Sequence, residues 1–281
     1  MKKILTLLLF IPLVFACGDD EYIDNNENNT DGVLPSTVTV DVFGDGSSLY
    51  TTTYNYDGNK IISKFVVGVT GTYEQIYTYN ENKISLIHIY DNGELRDHYF
   101  QINYNSQGMI SEVIAIFDDL ELTLLAATIT YNSNESVTVD NYGSTGNIAS
   151  SRNYNIDNNG NEIYWVEPSS NPGHHCDEIQ NIEYDNYNNP FKNITGISNL
   201  GILHTFIGSN IRTNFEGFFG IYGLNNNPTK LHYYTEECDD AAYEFSSEYT
   251  FSYDYNDAGY PISLITSNNN FFDIVTIEYT E

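Results

Sequence analysis

At 281 residues the chain is long enough for one or two domains, and 39 Asp and Glu against 10 Lys and Arg give it a formal net charge of −29. Such a surface repels phosphate backbones and anionic lipid, which excludes nucleic acid as a partner and leaves a membrane reachable only through an anchor. With 25 Tyr, 2 Met and 1 Trp among abundant Asn, Asp and Gly, the composition is that of an all-β protein.

Residues 1–16 read as a secretion signal. Lys2 and Lys3 precede an apolar run from Ile4 to Phe15, which is too short to cross a bilayer. Leu13-Val14-Phe15-Ala16-Cys17 resembles the bacterial lipobox, and the resemblance implies that Cys17 is lipidated and becomes the mature N-terminus. Several acyl chains on one residue anchor stably, because each buried CH2 contributes about 0.8 kcal/mol. Gly18-Asp19-Asp20-Glu21 resembles the acidic export signal of Bacteroidetes surface lipoproteins, which implies an outer-membrane, outward-facing address. Residues 17–36 hold too few apolar side chains to fold, and are expected to form a disordered acidic tether.

From Thr37 onward an alternation of period two takes over, with Val38, Val40 and Val42 on one face of a half-buried strand. One stretch then recurs almost to the C-terminus. In Ile102-Asn103-Tyr104-Asn105-Ser106-Gln107-Gly108-Met109-Ile110, an aromatic ends a strand, Asn opens a turn, Gly closes it and Ile starts the return. The aromatic position falls at Tyr56, Tyr79, Tyr104, Tyr131, Ile156 and Tyr184, then at Tyr253 and Tyr279, with a degenerate copy at Leu224–Thr229 in the gap. Steps of about 25 residues accommodate two strands and two turns, so each unit is a β-hairpin. The repeat aromatic is expected on the core side, its hydroxyl reaching the rim near the turn. About eight such units make residues 37–281 one all-β domain, an antiparallel meander in a twisted or curled sheet. Whether that sheet closes into a barrel is left open by the pattern.

An irregular insertion, 167–220, interrupts the rhythm with Pro and Gly and has room for a short helix. It is the place to look first for binding residues. It contains His174-His175-Cys176, and Cys238 follows later in another polar loop. In an oxidising compartment Cys176 and Cys238 are expected to form a disulfide, closing a loop that stabilises by roughly 4 kcal/mol. The rival is a zinc site on His174, His175, Cys176 and Cys238, disfavoured because adjacent His side chains diverge and no Cys-x-x-Cys spacing exists. Asp157–Glu162 superficially matches a calcium loop but coincides with a repeat turn, where Asn and Gly serve backbone geometry.

The Tyr-Asn/Asp-x-x-Gly-x-Ile pattern resembles the YD repeat of RHS-type proteins, over roughly residues 50–281, and more closely small Bacteroidetes lipoproteins of unknown function with YD-like repeats. The resemblance implies a curled antiparallel sheet and a surface address, and it brings no catalytic residue. No hydrolase, phosphate-loop or dinucleotide fingerprint is present, and no cofactor or metal is expected. Tyr164, Trp165 and Tyr184, with His174 and His175, are the candidate ligand contacts, as a stacking platform for sugar rings. His88, His98, His204 and His232 stand singly on strands as packing residues. The expected function is a non-enzymatic binding or scaffolding role for a glycan or a protein partner at the cell envelope. The alternative is a polysaccharide hydrolase with paired carboxylates on the concave sheet face.

Overall fold

The structure is a computed structural model that describes residues 32–42, 46, 48–69, 71–96, 98–133, 136–158, 161–167, 177–197, 225–236, 244–268 and 272–280. Among these, strands β1 (Pro35–Val42), β2 (Leu49–Asp57), β3 (Lys60–Gly68), β4 (Gly71–Asn80), β5 (Lys83–Asp91) and β6 (Glu94–Leu95) open the chain. Then come β7 (Tyr99–Tyr104), β8 (Ile110–Phe117), β9 (Leu122–Ser133), β10 (Ser136–Tyr142), β11 (Ile148–Ile156) and β12 (Glu162–Glu167). The last are β13 (Asp177–Tyr184), β14 (Pro228–Glu236), β15 (Ser246–Tyr255), β16 (Pro261–Ser267) and β17 (Phe272–Tyr279).

Each strand pairs antiparallel with its sequence neighbours, except that the two-residue β6 pairs with β5 alone while β5 goes on to β7. β1 pairs with both β2 and β17, so the meander closes on itself. The circuit without β6 has sixteen strands. The sheet is therefore a closed barrel, which corrects the expectation of a twisted or curled open sheet. Closure removes the two edges that an open meander of this length would leave unpaired.

One local device recurs where each hairpin turns. Tyr56 faces Ile61 while Asn55 faces Ser63, so Ile62 is an extra residue, and the ladder bulges there. The same two-against-one register occurs at Tyr79/Ile84, Tyr104/Ile110, Ile156/Glu162, Tyr184/Pro228 and Tyr255/Pro261. It also marks the seam, where Tyr279 faces Pro35. The exposure of Ile62, Ile163 and Ile262 follows from it, since each is the extra, outward residue of a bulge. The turns match too. Asn105 Oδ1 accepts from Gln107 N and Met109 N, and Asn256 Oδ1 accepts from Ala258 N and Tyr260 N. Gly108 and Gly259 follow at φ +83° and +77°, a backbone that L side chains rarely adopt.

The register corrects two sequence expectations. Tyr255 stands opposite Pro261, so the penultimate copy is centred on Tyr255 and Asn256 and not on Tyr253. The segment at Leu224–Thr229 is no separate copy either. Its end, Pro228, opposes Tyr184, so the long insertion is a hairpin turn grown large.

The repeat tyrosines lie on the inward face and reach the rim, as their spacing predicts. Tyr104 OH donates to Ile84 O at 2.7 Å, Tyr184 OH to Glu162 O at 2.5 Å, and Tyr279 OH to Pro261 O at 2.6 Å. Tyr56 OH donates to Pro35 O at 2.8 Å, and Tyr253, two residues before the repeat position at Tyr255, donates to Pro228 O at 2.6 Å. In each case the acceptor is the first or second residue of a neighbouring strand. The hydroxyls thus satisfy rim carbonyls and join one hairpin to the next. Burial pushes the hydroxyls of Tyr104, Tyr253 and Tyr279 above the usual phenol range, so they stay donors.

Inward side chains from most of the strands form one apolar cluster. Val38, Ile84, Ile87, Ile89, Val113, Ala127 and Leu264 are wholly buried within it. Outward positions carry Thr53, Asn55, Thr78, Thr130, Asn132, Asn153, Thr250, Ser252, Asp254, Thr276 and Glu278, all exposed. Side chains tie neighbouring strands on that outer face, as where Asn132 Nδ2 donates to Thr138 Oγ1 and Thr138 Oγ1 to Asn153 Oδ1.

Candidate functional site

Strand β13 runs through the segment 167–220 expected to be one irregular insertion, and the described residues after it, 185–197, lie across the turn end of the barrel as a cap. Two apolar side chains hold it there. Phe191 is 2% exposed with its ring 5.7 Å from that of Tyr54, and Ile194 joins the same interior cluster. Residues 185–196 form bends and turns, and a 3-10 helical turn begins at Ile197. Its far end reaches the β4–β5 turn, where a Cβ on Gly196 would lie 3.0 Å from Asn82 O. At φ +80°, Gly196 meets a conformational and a steric demand at once.

Amides and one carboxylate stitch the cap to the turns beneath. Asp185 accepts from Tyr187 N, Asn227 N and Asn227 Nδ2, and also from Tyr255 OH. Tyr187 stacks on Tyr255 with ring centres 4.1 Å apart. Asn226 accepts from Asn161 Nδ2 at 3.0 Å and donates to Tyr187 O. Asn193 Nδ2 donates to Val33 O at 3.0 Å and to Tyr260 OH at 2.9 Å, and Thr280 N donates to Leu34 O. The point where the chain enters the barrel is therefore clasped by the cap and by the last strand.

The candidate ligand contacts separate. Tyr164 is an outward residue of β12, paired with Asn181, which is paired in turn with His232. Tyr184 points inward to Glu162 O. The two cannot form one stacking platform. Trp165 pairs through its backbone with Tyr154 and Gln180. His174, His175, Cys176, Cys238 and Cys17 lie outside the described residues.

The outer face supplies a cluster around Tyr164 that the sequence did not single out. His232 stacks on Tyr234 at 4.6 Å, and Asn181 Nδ2 donates to Tyr234 OH at 3.3 Å. Alternate residues of one strand read as ordinary sheet decoration, and only the pairing shows that three strands bring them together. His88 stacks on Tyr99 and His98 packs on Phe100 and Phe117, as packing residues do, while His204 lies outside the described residues. The calcium-like stretch is a turn, with Asp157 Oδ1 accepting from Asn161 N at 2.8 Å. No group of three or more metal-binding acids, His or Cys occurs among the described residues.

Acidic side chains populate the outer face. Glu74, Glu112, Asp140, Glu183, Glu248, Asp254 and Glu278 all stand at outward register positions. Glu162 is the buried exception among the described acids.

No protein-family model matches the chain, and no curated protein does. A solved structure of a porin-like protein from Bacteroides vulgatus is similar to it, with 14% identity and a TM-score of 0.51 over 89% of this chain and 99% of that one. A porin-like protein from Bacteroides uniformis is 10% identical with a TM-score of 0.39, over 88% and 96% of the two chains. The first likeness is one of fold. It overturns the YD-repeat, RHS-like assignment: the hairpin repeat is real, but it builds a closed porin-like barrel and no family match supports that kinship.

Proposed function

We propose that this chain is a lipid-anchored outer-membrane protein with a non-enzymatic binding or scaffolding role, its barrel standing in water beside the bilayer. The observation that carries this reading is the orientation of the two barrel faces. A membrane-spanning barrel turns an apolar band about 25 Å tall toward lipid and keeps a polar lumen. Here the inside is lined mainly by apolar side chains, with Lys64, Gln75, Gln180 and Thr266 buried among them, and the outside carries Thr, Asn, Ser and Glu interspersed with single apolar residues such as Val67, Ile76 and Ile265. Sixteen strands leave room for an aqueous channel when inward side chains are polar. The buried Val, Ile and Tyr cluster and the cap at the turn end favour a closed interior. No helix among the described residues is long and apolar enough to cross a membrane, so Cys17 is the proposed attachment.

The decisive experiment is limited proteolysis of the tether, residues 18–31, in isolated envelopes. The barrel is expected in the supernatant without detergent, and an acylated Cys17 peptide is expected in the membrane by mass spectrometry. A cleaved barrel that still sediments with the membrane would overturn the reading in favour of a spanning pore.

For the ligand, the outward Tyr164, Asn181, His232 and Tyr234 cluster supports a neutral glycan, because aromatic faces and amides serve sugar rings without needing charge. Glycan-array binding that is lost in Tyr164→Ala and kept in Tyr184→Phe is the expected pattern. The outward placement of the acids supports a binding role over the hydrolase alternative. A Cys176–Cys238 disulfide remains part of the proposal, and blocked thiols in the oxidised protein are its test.

A further inference from the structure

We propose that Glu162 is a proton-dependent latch coupling the β11–β13 rim to the cap. At the other turn ends the return-strand residue that faces the repeat position is Ile61, Ile84, Ile110, Val137, Pro228 or Pro261, with Pro35 at the seam. Ile61, Ile84 and Ile110 are each at most 1% exposed in the apolar interior. Glu162 occupies that same place, is 4% exposed, and faces Ile156 where other units present a tyrosine. Its Oε1 meets no hydrogen-bond partner among the described residues. A carboxyl group has thus replaced an aliphatic side chain at a position that the fold otherwise keeps dry.

Its surroundings favour the neutral acid. Burial pushes the Glu162 carboxyl well above the usual carboxylate range and outweighs the opposing positive field of Arg152 on β11. In the turn, both Asp157 oxygens are taken by Asn161. On β13, the Tyr184 hydroxyl is directed to the Glu162 backbone oxygen. Protonated, the side chain packs as the isoleucines do elsewhere. Ionised, it needs water, which it reaches by moving the rim outward.

The adjacent residue makes that movement matter to the cap. Asn161 is wholly buried, and its Nδ2 bridges Asp157 Oδ2 and Asn226 Oδ1. Asn226 in turn donates to Tyr187 O and accepts from Asn189 Nδ2, both in the cap. Displacing Glu162 strains the Asn161–Asn226 contact first. Because the folded-state pKa is raised, the stabilisation is complete below the ordinary glutamate value. It is lost as pH rises through the shifted one.

Hydrogen exchange of the full-length protein, corrected for intrinsic rates, tests this between about pH 6 and about pH 9. Protection at residues 161–162, 184–189 and 225–227 is expected to fall with pH, on the order of tenfold per unit between the ordinary glutamate value and the shifted one, and to level off above the shifted one. Glu162→Gln should flatten that dependence. Glu162→Ile, which restores what three other units carry, should flatten it and raise protection. Arg152→Gln should move the transition to higher pH. Protection that is flat in the wild type, or a slope that survives Glu162→Gln, would overturn the latch.

Discussion

Replacing Phe191 by alanine is expected to lower stability by about 3–5 kcal/mol, the usual range for deleting a buried aromatic ring. Little around it can collapse into the space. The ring lies against Tyr54 within an interior built from strands that are each hydrogen-bonded on both sides, so the walls resist moving inward. Urea denaturation followed by tyrosine and tryptophan fluorescence checks the expectation through the midpoint. An effect below about 1 kcal/mol would mean that the cap rests on the barrel without being part of its core. Phe191→Leu should recover part of the loss.

Asp185→Ala is the other large expected loss, at about 2–4 kcal/mol, because hydrogen bonds to a charged acceptor contribute about 1.5–3 each and several share this carboxylate. The partners left behind matter most. Asn227 is wholly buried and would keep only Asn188 O as an acceptor for its amide, and Tyr255 OH would lose the Asp185 carboxylate as well. Asp185→Asn should fall between, since one oxygen can still serve Tyr187 N and Asn227 N while the new amide meets donors. Thermal melts of the three proteins provide the ranking. An alanine variant as stable as the wild type would show that the stitching adds nothing to apolar docking.

Much of the hairpin unit was legible in the sequence. Tyr104, Asn105, Gly108 and Ile110 each have a local task, so their order predicts a strand end, a turn and a buried return without reference to the rest of the chain. Closure was not legible. Nothing near Pro35 announces that Tyr279 will face it, because backbone pairing is indifferent to side-chain identity and the choice of partner is made by the whole circuit. The placement of one copy failed for a related reason. Tyr253 and Tyr255 satisfy the same period of two, and only the bulge opposite Pro261 and the Asn256 turn decide between them. The cap escaped notice because Phe191 and Ile194 are a thin apolar signal among asparagines. Glu162 escaped because an acid beside a turn is ordinary until its side chain is seen to face inward.

The clasp that Asn193, Tyr260 and Thr280 form around Val33 and Leu34 bears on how the molecule would stand at a cell. The chain enters the barrel at the capped end, so that end would be the foot if Cys17 is held in lipid as proposed. The opposite mouth, with the connections after β1, β3, β5, β8, β10, β12, β14 and β16, is then lifted toward the surroundings as the crown. A visitor arriving from outside would meet those loops and the upper flanks before anything else, while the tyrosine-lined foot stays in the shadow of the cell.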